Sequence, residues 1–139
     1  MKFLKEKKHY ILKLELGEEI IDSVAVFCKK ENITSGYFFG IGAVSKIKLS
    51  SYKLESKEYI SQIFNEPLEI ASLSGNIATL DKEIKLHCHG VFGKRDFTSV
   101  AGHLDEAIVS VTAEIIITPL DQELTRKFDS NIGLNLLDI

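Results

Sequence analysis

Cysteine, long apolar runs and arginine are scarce in this sequence, and each scarcity excludes something. Cys28 and Cys88 are the only cysteines. Neither belongs to a C-x-x-C pair, so the pattern argues for free, buried thiols in a reducing compartment and against a disulfide framework. The longest apolar stretches, Ile33 to Val44 and Ala107 to Ile117, are interrupted by polar residues or glycine. They fall short of the roughly 20 apolar residues that a membrane-spanning helix needs. Lys2, Lys5, Lys7 and Lys8 surround Phe3 and Leu4 at the start, but no apolar signal core follows. The expectation is therefore a cytoplasmic protein with a short, solvated basic arm. Arg95 and Arg126 are the only arginines and the net charge is −3. Bulk charge gives no general attraction for nucleic acid, which favours a basic face or stripe.

What is present is ordinary globular material. With 45% apolar and 27% charged residues over 139 positions, the chain has the size and composition of one domain, 1–139, with its own core. From Ile11 to Leu16 apolar and polar residues alternate, which predicts a first strand over His9–Leu16. Gly17 breaks that pattern, and Glu18 and Glu19 place negative charge where a helix N-terminus favours it. Ile20, Ile21, Val24, Ala25, Phe27 and Cys28 then recur at helical spacing until Lys29, Lys30 and Asn32 close the helix.

The remainder reads as strands. Thr34 to Tyr52 is one long strand bent at Gly40 or Gly42, and Tyr59–Phe64, Leu68–Ser74, Asn76–Leu80 and Ile84–Phe92 are shorter ones. Asp81-Lys82-Glu83 forms a hairpin turn between the last two. Val100–Leu104 and Ile108–Thr118 complete the set, with Pro119 as a stop. The tail from Leu120 to Ile139 fits either a turn of helix or an edge strand. The fold class that follows is α+β, a mostly antiparallel sheet with one main helix packed on it.

One cluster carries chemistry. Residues two apart on a strand point to the same face, so His87 and His89 present both imidazoles on one side of the sheet. An antiparallel return would bring His103 beside them. Three imidazoles with an open fourth position suit Zn²⁺ and similar divalent metals. The same residues also fit a polar strand face with a hydrogen-bonded turn histidine. Cys88 lies between the two histidines, but alternation turns its thiol to the opposite face, which argues for a buried structural cysteine.

Other candidates are weaker. Gly40-Ile-Gly42 has no third glycine and opens no helix, so it marks a bulge or a close approach of another strand, not a dinucleotide loop. Glu69 and Glu114 sit in apolar strands, where each is either a metal ligand or base, or a solvated exposed carboxylate.

Gly40-Ile-Gly-Ala-Val-Ser-Lys-Ile, Glu69-Ile-Ala-Ser-Leu-Ser-Gly-Asn, His87-Cys-His, Gly102-His-Leu and Ala113-Glu-Ile-Ile-Ile follow one another in that order. In this order and spacing the chain resembles the plants and prokaryotes conserved domain family, from the first strand to Pro119. The resemblance implies an antiparallel α+β domain that assembles as a homotrimer. It also implies a metal held by His87, His89 and His103, and DNA as a partner, since prokaryotic relatives are commonly labelled DNA-binding. In land plants the domain accompanies AT-hooks with Arg-Gly-Arg-Pro cores, and this sequence contains none.

The functional expectation is a metal-binding homotrimeric module that acts on DNA or a protein partner by assembly. A metal-dependent enzyme using the same three histidines is the alternative, although no second motif names a substrate. A purely structural trimer, its histidines making only hydrogen bonds, is the third reading.

Overall fold

A computed structural model describes residues 1–139. The chain runs β1 (Lys2–Glu6), β2 (His9–Leu14), α1 (Ile20–Lys30), β3 (Gly36–Lys53), β4 (Glu58–Phe64), β5 (Leu68–Leu80), β6 (Glu83–Gly93), β7 (Ser99–Pro119), β8 (Arg126–Asp129) and β9 (Leu134–Leu137). Seven strands form one antiparallel sheet in the order β1-β2-β7-β6-β5-β3-β4, and β8 and β9 make a separate hairpin. β7 also pairs with β3, so β3, β5, β6 and β7 close into a ring. The expected α+β class, a mostly antiparallel sheet with a single helix, is the observed one.

The helix forms where its apolar stripe recurs. Glu19 caps it, its side chain accepting from the Asp22 amide at 2.5 Å, while Lys29 and Lys30 occupy the last turn. The other carboxylate oxygen of Glu19 accepts from the Ala107 amide at 2.8 Å, which ties the cap to β7. Ile20, Val24, Phe27 and Cys28 are buried against the sheet with Leu12, Leu14, Ile115 and Ile117. Removing a fully buried aromatic such as Phe27 costs about 3–5 kcal/mol in comparable cores.

Three of the expected elements differ in the structure, and the tail takes one of its two expected forms. The basic arm is strand β1, paired along its length with β2 through a turn at Lys7, whose φ is +55°. The ring of Phe3 stacks edge-on against Phe27 at 5.0 Å, an apolar contact that holds the arm down despite its lysines. β5 continues through Gly75, where a Cβ would stand 2.5 Å from the Phe38 ring; the glycine admits the aromatic ring and does not end the strand. β7 continues through the polar run Asp105-Glu106, whose carboxylates meet Ser50 and Lys46 of β3. The tail supplies the edge-strand alternative as the β8–β9 hairpin.

Gly40 and Gly42 mark both a bulge and a close approach. The β3–β5 register shifts between them. A Cβ on Gly42, at φ +151°, would lie 2.8 Å from the Ala113 Cα of β7 and closer still to the Thr112 carbonyl oxygen. Asp81 and Lys82 both have positive φ, +52° and +68°, as a tight hairpin between β5 and β6 requires.

One sheet face stays uncovered. Ile11 of β2, Ile116 of β7 and Phe39 of β3 stand in one row across three strands, and Tyr37 and Ile41 flank Phe39 along β3. Ile11, Tyr37, Phe39 and Ile41 are all exposed in the single chain.

Candidate metal centre

Register brings the three histidines together. On β6, His87 and His89 share a face, paired with Asn76 and Ser74 of β5. β7 returns alongside with His103 directly opposite His89, so the expected antiparallel return is present. The three rings are mutually 5.0–5.4 Å apart between centroids.

The nitrogens converge as well. Nε2 of His87 lies 3.1 Å from Nε2 of His89, and one candidate donor atom from each of the three residues falls within 4.8 Å of the others. Two nitrogens on a tetrahedral zinc, at bond lengths near 2.05 Å, stand about 3.3 Å apart. The His87–His89 pair is therefore at ligating separation. The third nitrogen, from His103, lies within 4.8 Å of the other two. The His87–His89 separation is also that of a hydrogen bond in which one ring donates and the other accepts.

The electrical state of the rings suits lone-pair donation. Burial, followed by the neighbouring His103 and His89, lowers the pKa of His87 from 6.5 to about 4. Burial also lowers that of His103, partly opposed by Asp105. Both rings are thus neutral at pH 7. Nδ1 of His103 is buried with no hydrogen-bond partner, an omission that native interiors avoid unless something else satisfies the atom. The donor set, its separation and this orphaned nitrogen all fit a divalent metal.

The carboxylate at the cluster is one that the sequence reading did not single out. Asp105 Oδ1 faces Nε2 of His103 at 3.8 Å. Its other oxygen accepts from the Ser50 hydroxyl, and Lys48 stands 3.8 Å away. A carboxylate behind a histidine is the usual outer partner of a metal-ligating imidazole, although the present separation is longer than a hydrogen bond. The signal was available, because His103 and Asp105 are two apart on one strand and share a face.

Glu69 and Glu114 are elsewhere. Glu69 is exposed opposite Ala43 and Gly93. Glu114 is exposed beside Lys13 and Ile41, eleven residues along β7 from His103, roughly 35 Å of strand. The structure joins neither to the histidines. Cys88 is buried in the core with its pKa pushed up to about 12 by burial. His9 bonds Thr118 at 2.9 Å, outside the cluster.

A cleft of about 530 Å³ opens beside the histidines. Its floor carries Asn76, His87 and His103, and the β8–β9 hairpin forms one wall with Arg126 and Leu134 to Leu137.

This curled antiparallel sheet with one covering helix and a three-imidazole cluster defines the class of protein: an α+β domain with a histidine-lined cleft. The chain belongs to the Plants and Prokaryotes Conserved (PCC) domain family, whose model matches residues 1–121. Solved structures agree. A "putative dna binding protein" from Bacteroides thetaiotaomicron is 31% identical, with a TM-score of 0.96 over 99% of this chain and 96% of that one. A metal-containing protein from Archaeoglobus fulgidus is 35% identical, with a TM-score of 0.90 over 100% of both chains. A plant- and prokaryote-conserved protein from Pyrococcus horikoshii is 30% identical, with a TM-score of 0.88 over 99% and 95%. No curated protein matches the sequence. No helix is long and apolar enough to cross a membrane.

Proposed function

We propose that the chain is a single-domain, metal-binding protein that self-associates as a homotrimer and works as a regulatory module on DNA or a protein partner in the cytoplasm. His87, His89 and His103 are its metal ligands and Zn²⁺ is the ion that best suits three neutral imidazoles with an open position. The observation that carries the reading is the convergence of three imidazoles with a buried nitrogen of His103 lacking any partner. The Archaeoglobus relative, described as metal-containing, supports it. When bound, the ion would add a localised double positive charge and a Lewis-acid position beside the cleft floor.

Self-association is supported by the uncovered row of Ile11, Ile116 and Phe39, an apolar surface that a second copy would remove from water. DNA as the partner is supported by the description of the Bacteroides relative. With a net charge of −3 per chain, binding to duplex would depend on a positive patch built by assembly.

Metal analysis of protein purified without a nickel column tests the centre. About one zinc per chain is expected, absent from the His87→Ala, His89→Ala double variant. A metal-free parent that takes up no added Zn²⁺ overturns the reading. The cleft of about 530 Å³ that reaches His87 and His103 favours a metal-dependent enzyme as the second reading.

A further inference from the structure

The cleft beside the histidines has a charge pattern unlike the rest of the molecule. The chain is acidic overall, yet the ionisable residues lining this cleft are Tyr59, Lys85, His87, His103 and Arg126, with no carboxylate among them. Lys85 continues the His87–His89 face of β6, two residues before His87. Arg126 reaches in from β8 and forms no ion pair. One of its terminal nitrogens donates to Asn76 Oδ1 at 2.5 Å and the other to the Asn135 carbonyl at 3.0 Å.

Those two bonds fix the plane of the guanidinium, and a guanidinium has five N–H groups, so three remain for a ligand. A half-buried arginine held by neutral groups only is an uncompensated positive charge, and such a charge is normally balanced by an anion. The rest of the lining is largely apolar, with Leu80, Leu86, Leu134, Leu136 and Leu137. A cavity of about 530 Å³ lies within the range that admits a small organic molecule and is too narrow for a duplex.

We propose that this cleft binds a small organic oxyanion. Its carboxylate or phosphate head lies between Arg126, Lys85 and the metal position, and its carbon skeleton lies against the leucines of β9. Because the metal supplies one of the three positive groups, the proposal rests in part on the reading given above; Arg126 and Lys85 supply the other two. Binding is the whole of the claim, and no bond is made or broken in it.

Calorimetric titration with hexanoate and with inorganic phosphate, on zinc-loaded and metal-stripped full-length protein, provides the test. Hexanoate should bind the zinc-loaded protein at one site per chain and should weaken at least tenfold in Arg126→Gln and in Lys85→Gln, with zinc content unchanged in both. Arg126 also braces the hairpin, so Lys85→Gln, on an exposed and unbonded side chain, keeps the test independent of folding. Phosphate binding with the same dependence would identify the head group alone as the determinant and would also support the site. If the parent binds no metal but hexanoate binding still needs Arg126 and Lys85, the metal reading fails and the anion site stands. If the protein binds zinc while neither anion binds, or binding ignores both substitutions, the proposal is overturned.

Discussion

His89 of β6 and His103 of β7 are direct partners in the antiparallel register, their rings 5.4 Å apart and nearly perpendicular at 88°. Neighbours in space but fourteen positions apart in sequence, they depend on the β6–β7 pairing for their encounter. Replacing His103 by alanine should therefore lower zinc affinity at least about 100-fold, and Asp105→Asn, acting through His103, about 10-fold. Competition against a chromophoric chelator measures both. Equal affinity in parent and His103→Ala would remove His103 from the ligand set.

The depressed pKa of His87 gives metal-stripped protein a defined pH response. Its folded value of about 4 lies below the ordinary 6.5, so between these values the unfolded chain takes up a proton that the folded chain refuses. Stability from this group is complete above about pH 6.5 and is lost as pH falls towards 4. His103 shifts in the same direction. Urea midpoints should fall between pH 7.5 and 4.5, and fall less in His87→Gln; identical pH slopes in the two proteins would contradict the assignment.

Gly42 has no room for a side chain. Its φ is +151°, and any Cβ there would run into the Thr112 carbonyl oxygen and the Ala113 Cα, so Gly42→Ala must displace β3 from β7. A loss of about 2 kcal/mol or more is expected in denaturant unfolding, from backbone strain and overpacking together.

The uncovered row across β2, β7 and β3 can be broken without touching the core. Phe39 is 49% exposed, so Phe39→Lys should leave the far-ultraviolet circular dichroism unchanged while converting an assembly of three 15.6 kDa chains to a single chain by light scattering. An unchanged assembly mass would move the interface to another face.

Both thiols should be inert in the folded protein. Cys28 and Cys88 are buried, with pKa values pushed up to about 12 by burial. Ellman's reagent should react at the rate of unfolding, and fast labelling of either at neutral pH would contradict the packing.

Much of this was legible locally. The period-2 alternation of β2, the 3.6 period of α1 and the spacing of His87 and His89 follow from side-chain geometry on a single element, which needs no partner to be read. Cys88 could be removed from the cluster on the same ground. The interruption at Gly75 misled because a glycine that ends a strand and one that admits a crossing Phe38 ring are the same letter. The polar pair Asp105-Glu106 misled in the same way, since its partners Ser50 and Lys46 lie on a strand more than fifty residues earlier.

The sequence by itself determined the alternation of β2, the helix α1, and two of the three imidazoles on a shared strand face, because all of these depend on residues within one or two turns or pleats of one another. Tertiary structure decided the rest. It alone set His103 against His89, put Asp105 rather than Glu69 or Glu114 behind the cluster, and carried Arg126 from the tail to Asn76. Each of those depends on strand register and ring closure, and register is fixed by which faces of several strands can be buried together, a property of the whole sheet.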